Sequence, residues 1–335
     1  MFKKLSTPAL SAAILVAASA AALTPASASA SASTSASASA SASAVSAPLS
    51  GARITTHFDL AKAQTPENIA LAPGGTAYVT LAAGRQIAEI SPKGTLKILA
   101  TLPKPADGGV HTPVLGFPLT VGIVRAHDGT LYFLYATGTP DLTGVWRLRP
   151  GGVPERIAAL PADGLPNGLA LDARTHTLYV TDSVLGTIWS VPTTGGTPTA
   201  WSTAPELASA GFLGANGLKI HRGALWATNL DKGTILRIPI GHDGRAGSVR
   251  TEATGLPGID DFEFTGHGDQ LLAALNGPSE VALVQPDGSH SIVLTPSDGL
   301  QNPTSVALRG DTVYVLSAAY VTAKDPNIVR AHLND

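Results

Sequence analysis

Apolar and polar residues alternate with a period of two through most of the chain after residue 50, in short runs cut by Gly-rich turns. Thr177–Asp182 (Thr-Leu-Tyr-Val-Thr-Asp) is the clearest run, and its period is that of a half-buried strand. A turn precedes it at 173–176, Gly186 breaks it, and further strands follow at 187–191 and 198–203. No helix-period segment of useful length competes, so the chain is predicted to be all-β.

The unit recurs. Its aromatic-containing strand returns at 76–80, 130–134, 224–228 and 312–316, with a weaker version at 270–274. Aligning the units on the residue two before the first apolar position of each inner strand gives Glu67, Thr120, Asn167, Asn216, Asp260 and Thr304. Six units of four strands, each near the length of a propeller blade, predict a six-bladed β-propeller. The sixth unit lacks its fourth strand, and the N-terminal run 53–58 resembles the outer strands of other units. That run is expected to complete the last blade and close the ring, removing an open sheet edge.

Composition alters the picture only outside this domain. Lys3 and Lys4, an apolar stretch over 9–23 and the small residues after it have the layout of a cleaved secretory signal peptide over residues 1–28. Residues 29–50 form a Ser/Ala-rich linker with nothing to bury, predicted to be disordered. The propeller domain is assigned to 51–335, outside the cell and without a membrane anchor. Across all 335 residues the formal charge is −2 with no Lys/Arg cluster, which argues against nucleic-acid partners. The absence of cysteine excludes disulfides, thiolate metal sites and cysteine nucleophiles.

Inner strands of a propeller start at one mouth of the central channel, so the aligned positions should converge there. Glu67, Asn167, Asn216 and Asp260 then bring carboxylate and amide oxygens together, and Asp261 follows directly. Such oxygens repel one another without a cation, and a mixed carboxylate and amide set suits Ca²⁺ better than zinc or copper. Other divalent cations are open, as is the turn-forming role of the Asn-Gly pairs at 167–168 and 216–217. Of nine histidines, six fall in turns on the opposite face and only His111 lies in a mouth-side loop. The opposite-face histidines are read as solvated turn residues.

The segments Pro-Glu-Asn at 66–68, Pro-Asn-Gly-Leu at 166–169, Ala-Asn-Gly-Leu at 215–218 and Ile-Asp-Asp at 259–261 resemble the calcium-dependent six-bladed propellers. These are the senescence-marker-protein, gluconolactonase and paraoxonase-like lactonases. The resemblance implies that Glu67, Asn167 and Asn216 bind the metal, joined by Asp260 and Asp261 from blade five. The gluconolactonase branch has Asp where this chain has Asn216, and the paraoxonase branch has His where this chain has Thr120.

The expected function is a secreted, metal-dependent hydrolase of a small-molecule lactone or related ester. The cation would polarise the carbonyl and activate water, with Asp260 or Asp261 taking the proton. There is no Gly-x-Ser-x-Gly elbow to supply a serine nucleophile. Mouth-side candidates for substrate contact are His111, Phe117, Thr120, Asp182, Asn229 and Asn276, each equally suited to capping a loop. A non-catalytic binding propeller with a structural calcium, and a lyase on the same centre, are the alternatives.

Overall fold

Strands consecutive in sequence pair within each blade, and the chain forms six antiparallel sheets of four strands. The computed structural model describes residues 47–106 and 111–334; the signal peptide expected over 1–28 and nearly all of the linker expected over 29–50 lie outside the described residues. The inner strands are Pro66–Leu71, Leu119–Arg125, Pro166–Asp172, Ala215–His221, Ile259–Phe264 and Pro303–Arg309, opening blades one to six. The chain is an all-β, six-bladed β-propeller. Its ring closes through Leu49–His57, which pairs antiparallel with Asn327–Leu333 as the outer strand of blade six. The closing strand therefore starts four residues earlier than its apolar pattern indicates.

The core is divided among the interfaces. Six clusters of buried apolar side chains are present among the described residues, one between each pair of neighbouring blades. Phe133 and Tyr135 of blade two pack on Ile87 and Leu102 of blade one, for example. Alternation explains the arrangement, since each sheet buries both faces against its neighbours and the ring is held by nearest-neighbour terms.

Every inner strand carries a β-bulge near its start. In blade one Pro66 pairs with Leu81 and Ile69 with Val79, leaving Glu67 and Asn68 opposite one residue. The same shift falls at Asn167–Gly168, Asn216–Gly217 and Asp260–Asp261. A bulge re-aims the side chains it contains, and here it turns four polar residues toward the axis.

Threonines of the second strands stitch these bulges together. Thr181 Oγ1 accepts from Gly168 N at 2.8 Å and donates to the Asn216 carbonyl of the next blade. Thr228 Oγ1 repeats the pattern, accepting from Gly217 N and donating to the Asp260 carbonyl. The approach leaves no room for a side chain: a Cβ on Gly168 would lie 2.2 Å from the Asn216 carbonyl oxygen. Gly168→Ala is expected to cost about 1–3 kcal/mol by overpacking, read as a lowered midpoint in thermal denaturation. An unchanged midpoint would mean that blades three and four separate without cost.

The register corrects one alignment. In blade two Thr120 pairs with Tyr135 and Ile123 with Phe133, so the bulge holds Val121 and Gly122. Gly122 meets the Asn167 carbonyl as Gly168 meets that of Asn216. Val121, not Thr120, is the blade-two counterpart of Glu67. Its apolar side chain is buried with the interface between blades two and three.

Candidate functional site

The bulged residues floor a cavity of about 760 Å³ at the channel mouth. Glu67, Asn167, Asn216 and Asp260 all line it, and each is at most 8% exposed. Four residues spread over nearly 200 positions are thus brought to one place by the repeat. No lysine, arginine or histidine is among the described lining residues.

Without a counter-charge the two carboxylates are held away from their ordinary ionisation. Burial, with the charge of Asp261 nearby adding to it, pushes Glu67 up to about 7 against a hydrogen bond from Tyr320 that favours its charge. Burial, then the charges of Glu67 and Asp261, push Asp260 well above the usual carboxylate range. Hydrogen bonds from Asn216 and Asn276 offset part of this.

Neighbouring side chains orient the donors. Ser183 Oγ donates to the Ala215 carbonyl at 2.6 Å and accepts from Asn167 Nδ2 at 3.1 Å. The Asn167 amide nitrogen is therefore committed to Ser183, which leaves its oxygen as the atom available to a cation. Tyr320 OH donates to Glu67 Oε2 at 2.5 Å, and burial keeps this phenol neutral. Such outer contacts fix ligand geometry in metal sites.

The donor set fits a hard cation: two carboxylates and two amides, all oxygen, buried and lacking a positive partner. It is sparser than a multi-carboxylate cage, and no group of three or more His, Cys, Asp or Glu suited to a metal occurs among the described residues. Asparagine amides supply the difference.

The remaining candidates divide. Phe117 and Asn276 line the cavity, and Asn276 donates to Asp260 Oδ2 at 3.3 Å. Asp182 caps a loop, its Oδ1 accepting from the amides of Leu165, Val184 and Leu185. Asn229 donates to the carbonyls of Glu206 and Ala208. The Thr120 hydroxyl reaches the carbonyls of Leu81 and Gln86 and is fully buried. His111 is exposed and outside the lining.

Asp261 does not reach the cavity either. It turns down the channel, where Lys219 Nζ lies 2.7 Å from its Oδ2. Burial alone would lower the Lys219 pKa, but Asp261 and Glu263 more than offset this and hold it above its usual value.

The alignment overlooked Tyr320, Ser183 and the mouth loop of blade four. There Asp231 Oδ2 accepts from Ala210 N and Phe212 N, fixing Phe212 against the cavity. Tyr320 follows the second strand of blade six, the same loop position that drew attention to Asn276. On the opposite face His221 is not a solvated turn residue: its ring stacks on Phe264 at 3.8 Å and meets Asp269.

No protein-family model and no curated protein sequence matches this chain. Solved structures do. A gluconolactonase from Xanthomonas campestris superposes with a TM-score of 0.61 at 17% identity, covering 87% of this chain and 93% of its own. A calcium-binding regucalcin from Agrobacterium tumefaciens gives 0.59 at 16% identity, covering 84% and 96%. A virginiamycin B lyase from Staphylococcus aureus gives 0.57 at 19% identity, covering 81% of each chain. At such identities the likeness establishes a shared β-propeller fold and nothing finer.

Proposed function

We propose that this protein is an exported hydrolase of a lactone or related ester, dependent on a divalent cation, calcium by preference, held at the channel mouth. The observation that carries the reading is the convergence of Glu67, Asn167, Asn216 and Asp260 on the floor of one cavity with no basic residue among its described lining residues. A cation bound there supplies Lewis-acid polarisation of a carbonyl and acidification of water.

The chain's own residues do the rest. Glu67, Asp260, Asn167 and Asn216 hold the cation. Asp260 faces the cavity and is the carboxylate placed to accept a proton from water; Asp261, paired with Lys219, is not. Asn276 holds Asp260 from the side, and Tyr320 holds Glu67. Above the floor Leu115, Phe117, Phe212, Leu213, Leu230 and Val321 form an apolar wall. Such a wall favours a neutral substrate with an apolar flank over a sugar acid.

Purified protein assayed on a panel of lactones and esters is expected to show turnover that EDTA abolishes and calcium restores. Calcium-dependent stability with no turnover across the panel would make it a binding propeller. An unsaturated product formed without uptake of water would make it a lyase.

A further inference from the structure

Below the mouth the channel holds charged groups that the proposed chemistry does not use. Lys219 stands three residues past Asn216 and Glu263 three past Asp260, about 10 Å further along their inner strands at strand rise. Asp261 lies between the two levels. Its Oδ2 takes both the Lys219 ammonium at 2.7 Å and the Asn68 amide at 2.9 Å, joining blades four, five and one across the axis. Its Oδ1 is buried without a hydrogen-bond partner, in a residue only 2% exposed. Gly217 makes room for that oxygen, since a Cβ there would lie 2.5 Å from it.

A buried carboxylate oxygen with no partner is costly unless something charged sits beside it. Lys219 is the basic side chain in contact with this carboxylate, and its side chain is 21% exposed. An ammonium is a compact point charge, and 2.7 Å from a carboxylate oxygen is close to the distance at which Ca²⁺ takes oxygen ligands.

We propose that the Lys219 ammonium fills a second cation position in the channel, bounded by Asp261, Asn68 and Glu263, and so keeps a divalent ion out of it. Lys219 is then a built-in counter-ion. The protein holds one divalent cation, at the mouth, where it would otherwise hold two. Only the count at the mouth rests on the function proposed above; the vacancy created by removing the ammonium does not.

The test counts bound calcium per full chain by equilibrium dialysis and elemental analysis. Wild type is expected to bind one ion and Lys219→Met two. Lys219→Arg, which keeps the charge, and the double variant Lys219→Met/Asp261→Asn should both return to one. If the mouth reading fails, every count drops by one and the step between wild type and Lys219→Met survives. A folded Lys219→Met chain with the wild-type count overturns the proposal, as does a wild-type chain that already binds two. A Lys219→Met chain that folds only in millimolar calcium supports it. One that fails to fold at any calcium level while the double variant folds overturns it.

Discussion

Asp260→Asn is expected to weaken calcium binding at least about 100-fold, because contacts to a metal ligand are alone worth roughly 10–100-fold and this change removes a charged ligand itself. Turnover should fall with occupancy. The same substitution should raise the melting temperature of the chelated protein by a few degrees. In the cation-free state Asp260 is buried and the charges of Glu67 and Asp261 oppose its ionisation, and the amide relieves that repulsion. The opposite signs are the signature: more stable than wild type in EDTA, less stable in calcium. Isothermal titration and paired thermal scans check it. A variant less stable than wild type in both buffers would mean that Asp260 serves packing and not a cation.

The second large effect is on pH. Glu67 ionises near 4.5 in an unfolded chain and near 7 in the folded protein, so the folded state binds the extra proton between those values. A group shifted upward in this way stabilises the fold at low pH, and the contribution is lost as pH rises. Stability of the chelated protein should therefore fall from about pH 4.5 to 7, by up to ~1.4 kcal/mol per pH unit for one proton. Asp260, also raised by its burial, adds to the decline in the same direction. Calcium requires both carboxylates ionised, so its binding releases protons and tightens as pH rises. Melting temperatures in EDTA should drop across this range while those in calcium stay level or climb. A chelated protein whose melting temperature is flat or rising from pH 5 to 7 would contradict the assignment of Glu67.

The ring and its mouth were readable from sequence because a repeat displays its own period. Glu67, Asn167, Asn216 and Asp260 fall at one place in four units, and turn chemistry does not account for two acids there. Blade two escaped the alignment because Leu-Thr-Val-Gly-Ile offers no chemical marker for its bulge; only the pairing of Thr120 with Tyr135 shows that Val121 is the equivalent residue. Asp182 and Asn229 stand at mouth-side strand ends, as Asn276 does, yet they satisfy backbone groups of their own loops. That difference depends on loop conformation, which a strand period does not encode. Asp260 and Asp261 are adjacent carboxylates that the bulge sends in different directions, one to the mouth and one down the channel to Lys219. Tyr320 and Ser183 act by holding Glu67 and Asn167, and a residue that acts on another side chain leaves no mark in a pattern of single positions.

The pairing of Leu49–His57 with Asn327–Leu333 has a consequence for synthesis. Leu49–His57 is made before any blade and waits for Asn327–Leu333, and until then a lone ribbon and two unfinished blade faces stay open. During that interval blades two to five can already stack, since their contacts are local, but Glu67 lacks Tyr320 and Pro66 lacks the Thr304 hydroxyl that grips its carbonyl. Cation capture therefore comes late, as a final clasp on an assembled circle, and nascent chains stalled before residue 327 should be the species most prone to protease attack and to pairing with one another.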